Sequence, residues 1–314
     1  MGFGAQTTTD EVLQGVDLSG KFAVVTGGTT GLGLETCRAL AAHGAEILLT
    51  ARDAERGAAA VAHVRAHVPE AKAAFGLLDL GDLASVRRFA EQTLADHDRI
   101  DLLINNAGMM GTPFGRTKEG FETQFGCNHL GHFLLTNLLA PALLKGAPSR
   151  VVCLSSAGHH WSDVHWDDPN FERDPYDKWQ AYGQSKTANA LFALELDRRL
   201  SGRGVHAYSV HPGGIRTELG RHFTDEDRNQ IERFRAAASN PQPKSIAAGA
   251  SSTVWAATAP ELADQGGVYI EDCAVAAPAN PGERRGYAAW MRDTANAQRL
   301  WRMSEQYVGQ TFEA

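Results

Sequence analysis

Residues 21–33 read Lys21-Phe22-Ala23-Val24-Val25-Thr26-Gly27-Gly28-Thr29-Thr30-Gly31-Leu32-Gly33. A short β-branched run passes into a turn with glycines at 27, 31 and 33, and a helical pattern follows over 32–43. A strand handing over to a helix through such a turn is a dinucleotide-binding signature. Glycine permits the sharp backbone and the close approach of a pyrophosphate. The helix N-terminus adds free N–H groups and a partial positive charge. On this reading Gly27, Thr29, Thr30, Gly31 and Leu32 contact the cofactor.

Outward from this turn the pattern alternates. Strands are predicted over 45–50, 73–80, 100–104, 150–155, 205–210 and 267–270, and helices over 54–67, 83–96, 121–144, 179–200 and 246–258. Strands alternating with helices of this length indicate βαβ units and a parallel sheet. A doubly wound α/β sheet of Rossmann type, in one domain over 20–314 behind a polar tail over 1–19, is the expectation. Two stretches interrupt the alternation. Residues 159–178 are rich in Trp, His, Asp and Pro and read as an inserted loop. Residues 218–244 are charged and read as a flap over the substrate. Surface elaboration without function is the alternative for both.

Composition excludes several classes. The 314 residues carry a formal net charge of −7 and no basic stripe, which argues against nucleic acid. No run reaches the ~18 apolar residues of a membrane helix. Residues 1–20 are polar and read as no signal sequence, so a cytoplasmic protein is expected. Cys37, Cys127, Cys153 and Cys273 form no C-x-x-C pair and fit buried thiols in a reducing compartment.

The second strand ends in Thr50-Ala51-Arg52-Asp53. Ala51 stands where NAD-binding sites usually have a carboxylate for the ribose, and Arg52 suits a 2′-phosphate. NADP(H) is therefore expected; Asp53 as the ribose carboxylate is the alternative and would favour NAD(H).

Tyr182-Gly183-Gln184-Ser185-Lys186 places Tyr and Lys on one helical face. A nearby ammonium is expected to lower the phenol pKa from its ordinary ~10. Ser155-Ser156 and Asn105-Asn106-Ala107-Gly108 close the fifth and fourth strands at the edge where open α/β sheets bind ligands.

With these residues in order, and Pro212-Gly213 after the sixth strand, the sequence resembles the short-chain dehydrogenase/reductase family. The Thr50–Asp53 segment, Asn128-His129-Leu130-Gly131-His132-Phe133 and the tail over 300–309 are similar to its carbonyl reductase and retinol-dehydrogenase-like branch. The resemblance implies that Tyr182 is the acid–base group, that Lys186 lowers its pKa and binds ribose, and that Ser156 orients the substrate oxygen. It implies that Asn128 holds a water in a proton relay, and that Asp79, Leu80, Asn106, Ala107 and Gly108 lie along the adenosine side. Pro212, Gly213, Ile215 and Thr217 would line the nicotinamide amide and diphosphate. Helix caps are the alternatives for Asp79 and Thr217. The implied partners are a small carbonyl or alcohol substrate and further copies of the chain, as a homodimer or homotetramer.

The stretch from Ser156 to Tyr182 is about twice as long as the family usually has, which leaves the substrate pocket open. His159, His160 and His165 lie in it without a third element to fix a tetrahedral site, so no metal is expected. Trp161, Trp166 and Trp179 read as loop packing, with an aromatic substrate wall as the alternative. A non-catalytic NADP(H) sensor and a C=C reductase are the rival functions.

Overall fold

The computed structural model describes residues 2–221, 223–236, 243–280 and 282–313. The first half of the chain runs β1 (Phe22–Val25), α2 (Gly31–Ala42), β2 (Glu46–Ala51), α3 (Ala54–His67), β3 (Ala73–Leu77), α4 (Leu83–Asp96) and β4 (Leu102–Asn105). It continues through α5 (Thr123–Phe125), a π-turn over Gly126–Leu130, α6 (Gly131–Lys145) and β5 (Ser149–Leu154). Then come α7 (Lys178–Leu200), β6 (Val205–His211), α8 (Asp225–Ala236), α9 (Ile246–Thr258), β7 (Tyr269–Glu271), β8 (Ala274–Val275) and α10 (Thr294–Val308). A first helix, α1 (Thr9–Leu13), precedes them.

The strands form one sheet in the order β3-β2-β1-β4-β5-β6-β7-β8. All neighbours are parallel except β7 and β8. Every residue of β1 and β4 is buried, as expected of central strands covered on both faces. One core, with Phe133, Leu191 and Trp301, lies under α4, α6, α7 and α10; the other, with Leu13, Leu40 and Trp255, lies under α1, α2, α3 and α9. The chain reverses direction across the sheet between β1 and β4, which opens a crevice at their C-terminal ends.

Five elements differ from the sequence expectation, the first being β8, an antiparallel edge strand beyond the last expected strand. The polar tail holds α1, closed by a Thr8–Glu11 capping box, with Val12 and Leu13 buried against the core. The helix expected over 121–144 is broken by the π-turn that carries Asn128. The 218–244 flap contains α8; its residues 222 and 237–242 lie outside the described residues. Helix α10 lies outside the expected alternation; it docks through Leu300 and Trp301, which are almost wholly buried, and Arg199 stacks on Trp301 at 4.2 Å. Among the described residues no helix is long and apolar enough to cross a membrane.

Candidate functional site

The glycine turn is built from backbone constraints. Gly27 and Gly31 have φ of 64° and 54°, where side chains are strained. A Cβ on Gly33 would lie 2.3 Å from the Gly27 carbonyl oxygen, so the turn and α2 meet without room for a methyl group. Buried Thr26 ties the turn to the end of β4: its Oγ1 accepts the N–H groups of Asn106 and Ala107, both at 2.9 Å. The Asn106 amide donates back to the Thr26 carbonyl at 2.8 Å. Thr30 caps α2 without a side-chain hydrogen bond, leaving the first-turn N–H groups to face a cavity of about 520 Å³. This cradle fits a pyrophosphate, the anion such helix ends bind.

At one end of the cavity stand Arg52, Arg56 and Arg221. Burial, Arg52 and Arg56 all depress the Arg221 pKa, so the three cations crowd one another. Asp53 is engaged elsewhere. Its carboxylate caps α3, accepting the Arg56 N–H at 2.8 Å, and it does not line the cavity. Asp79 and Leu80 do line it; Asp79 takes the Gly81 N–H at 2.9 Å, while the cap of α4 is Asp82. Thr217 caps the short turn Glu218–Gly220 and also presents its methyl group to Gly31. Pro212, Gly213 and Ile215 line the same wall, with the Lys244 stem packed on Gly213.

The cavity floor holds Tyr182 and Lys186 from α7, and Ser156 just beyond β5. Ser156 faces the Tyr182 phenol closely enough to lower its pKa, and its Oγ accepts the Gly158 N–H at 3.0 Å. Ser155 turns the other way and donates to the Lys186 carbonyl at 2.8 Å. The Lys186 ammonium donates to the Leu154 carbonyl at 3.0 Å and lies 5.5 Å from the Tyr182 ring centre. Asn128 is buried in the π-turn. Its side chain clamps the Met109 backbone at 2.9 and 3.0 Å and donates to Ser185 at 2.9 Å. Its Oδ1 and the Lys186 Nζ each approach the site of a Gly108 Cβ at 3.5 Å, so they flank Gly108 together.

The electrostatics differ from the expectation of a lowered phenol. Burial pushes Tyr182 up to about 12, and Ser156 beside it offsets only part of this. Burial also pushes Lys186 down to about 8. Burial outweighs the one lowering influence, Ser156, so at neutral pH Tyr182 holds its proton.

The roof joins the inserted loop to α8. Trp161 packs on Tyr182 at 5.9 Å, on Trp179 at 5.3 Å and on Phe234 at 4.5 Å. Trp179 donates to Gln230 at 3.0 Å, and Lys178 pairs with Asp227 at 2.5 Å. Trp161 and Trp179 thus form a wall behind the cavity. Trp166 instead packs on the core beneath Arg299. The loop histidines have protein partners: His159 meets the Ser156 carbonyl at 2.6 Å and His165 meets Ser162 at 2.9 Å. Sequence reasoning missed Arg56, Arg221, Lys244, Glu271 and Arg284, all of which line the cavity. Arg221, Lys244 and Arg284 lie in connections, where no periodic signal marks them, while Arg56 on α3 and Glu271 at the end of β7 read as ordinary charged positions of their elements.

Comparison with known proteins follows the same lines. The family model for short chain dehydrogenase matches residues 21–228. Retinol dehydrogenase 12 of Homo sapiens is 39% identical over 298 residues, covering 95% of this chain and 89% of that one. A crystal structure of an uncharacterized protein from Mycobacterium paratuberculosis has a TM-score of 0.74 and 33% identity, covering 99% of both chains. A short chain dehydrogenase from Burkholderia cenocepacia, solved in complex with NADP, has a TM-score of 0.65 and 26% identity over 81% of this chain and 96% of its own. With the glycine cradle, the sheet order and the Ser156–Tyr182–Lys186 floor, these likenesses assign the chain to the short-chain dehydrogenase/reductase family, within its retinol-dehydrogenase-like branch.

Proposed function

We propose that the protein is an NADP(H)-dependent oxidoreductase that interconverts a ketone or aldehyde and the corresponding alcohol. The observation that carries this reading is one cavity with a phosphate cradle at one end and Ser156, Tyr182 and Lys186 on its floor. When bound, the cofactor supplies the hydride.

The chain's own residues do the rest. Gly27, Thr29, Thr30, Gly31 and Leu32 hold the pyrophosphate on the α2 N-terminus, helped by Thr217. Arg52, with Arg56 and Arg221 beside it, takes the 2′-phosphate, the feature that favours NADP(H) over NAD(H). Asp79, Leu80, Asn106, Ala107 and Gly108 bound the adenosine side, and Pro212, Gly213 and Ile215 the carboxamide side. Lys186 holds the ribose hydroxyls. Tyr182 Oη gives its proton to the carbonyl oxygen as the neighbouring carbon gains the hydride, and Ser156 Oγ hydrogen-bonds that oxygen. Asn128 keeps the Met109 segment beside Lys186, through which the proton lost by Tyr182 is restored. The ring wall of Trp161 and Phe234 keeps bulk water from the floor.

The test is NADPH consumption across ketones and aldehydes, with Tyr182→Phe as the control. Turnover that vanishes in the variant supports the reading. NADPH binding without consumption by any substrate would instead support the sensor. Product analysis on an enone separates an allylic alcohol from the saturated ketone of a C=C reductase.

A further inference from the structure

The part of the cavity beyond the tyrosine carries a charge that the proposed reaction does not use. Arg284, from the segment between β8 and α10, lines it. Its guanidinium lies over the Phe234 ring, 3.8 Å from the centre. Its Nη1 is closed to solvent and has no hydrogen-bond partner among the described residues. The two carboxylates that share this lining are engaged by other cations. Glu271 faces Arg285 at 3.3 Å and takes the Gly286 N–H at 3.0 Å. Asp272 lies 2.7 Å from the Lys244 ammonium, though off the line of a hydrogen bond. Asp272 and Cys273 make the β7–β8 turn with φ of 51° and 56°, a conformation costly for residues other than glycine.

A guanidinium stays charged, and a ring face attracts its plane without accepting its N–H donors. A buried donor left unpaired in a folded protein calls for an explanation. Here Arg284 lines the same cavity as the reacting tyrosine. Two rings connect them: Phe234 packs on Trp161, and Trp161 on Tyr182. Ile231 and Met110 add apolar surface to the same lining. A molecule with its carbonyl at Tyr182 and an apolar middle would bring its far end to Arg284.

We infer that the substrate carries a carboxylate remote from its reacting carbon, and that Arg284 receives it. This deepens the oxidoreductase reading and rests on it for the carbonyl end. To the carbonyl or alcohol substrate expected from sequence, Arg284 adds an anionic terminus.

The test compares ω-oxo carboxylic acids of graded chain length with their methyl esters at saturating NADPH. At the best length the acid should exceed its ester in kcat/KM by about tenfold or more, the scale of one charge-assisted hydrogen bond. Arg284→Met keeps a stem over Phe234 and should abolish that preference, while kcat/KM for the ester and KM for NADPH stay unchanged. Equal turnover of acid and ester by the unaltered protein overturns the inference. So does an Arg284→Met loss shared by the ester, or one that appears in KM for NADPH. Calorimetry with NADP+ and a saturated fatty acid, set against the matching alcohol, separates the two readings. Acid binding that weakens about tenfold in Arg284→Met, without turnover of any aldehyde, retains the anion site and removes the reductase reading. Acid binding indifferent to Arg284 removes the anion site, whatever the turnover.

Discussion

The two halves of the cavity are made in different ways. The cofactor half is backbone: glycines at 27, 31 and 33, the Thr26–Asn106 stitching, and the uncapped start of α2. Its parts lie within a few residues of the ends of β1 and β4, so the sheet that forms the core also sets the cradle. The far half is side chain on side chain. Trp161, Phe234, Lys244 and Arg284 come from four segments that meet only in the folded molecule, through ring contacts and ion pairs. A backbone cradle suits a cofactor of fixed shape. A wall of side chains on long connections suits a pocket whose shape sets specificity.

The difference between the halves can be broken experimentally. Tyr182→Phe sits between them and should have the largest effect: kcat falls about 10²–10⁴-fold, while NADPH binding, followed by its fluorescence, stays intact. Arg52→Ala should act on the cofactor half alone. The ratio of kcat/KM with NADPH to that with NADH should fall about 10–100-fold, the scale of a charge-assisted contact. A fall shared equally by both cofactors would assign the 2′-phosphate elsewhere.

Gly33→Ala tests the cradle's backbone. The new methyl group has no room against the Gly27 carbonyl, so chemical denaturation should show a loss of about 1–3 kcal/mol together with weaker NADPH binding. The pH profile tests the floor. Both working groups are needed protonated for reduction, and Lys186, held at about 8, loses its proton before Tyr182, held at about 12. Reduction should therefore fall as pH rises through about 8, by up to ~10-fold per unit; a profile flat to pH 10 would remove Lys186 from the mechanism. Trp179→Phe should have the smallest effect and act on the far half. It removes the bond to Gln230 that pins α8, worth about 0.5–1.5 kcal/mol. KM for the carbonyl substrate should rise about 2–10-fold, with KM for NADPH unmoved.

The sequence alone carried the sheet, its parallel strands and the place of the glycine turn, because side-chain periodicity and glycine at a strand-to-helix joint are local rules. The spacing of Tyr182 and Lys186 also places them on one face without tertiary knowledge. Only the folded chain decided the rest. The π-turn under Asn128 inserts an extra residue into a helix that reads as continuous. Helices α1 and α8 are short or strongly polar, α10 is amphipathic but lies outside the strand–helix alternation, and burial of residues such as Leu13 and Trp301 shows what docks them. Tertiary packing also reversed the expected shift of Tyr182, because desolvation depends on everything stacked around the phenol, Trp161 included. The same reason keeps Arg284 out of reach of sequence patterns. A guanidinium is ordinary on a surface loop, and it suits a recognition role only where folding closes it against Phe234 with its Nη1 unpaired among the described residues.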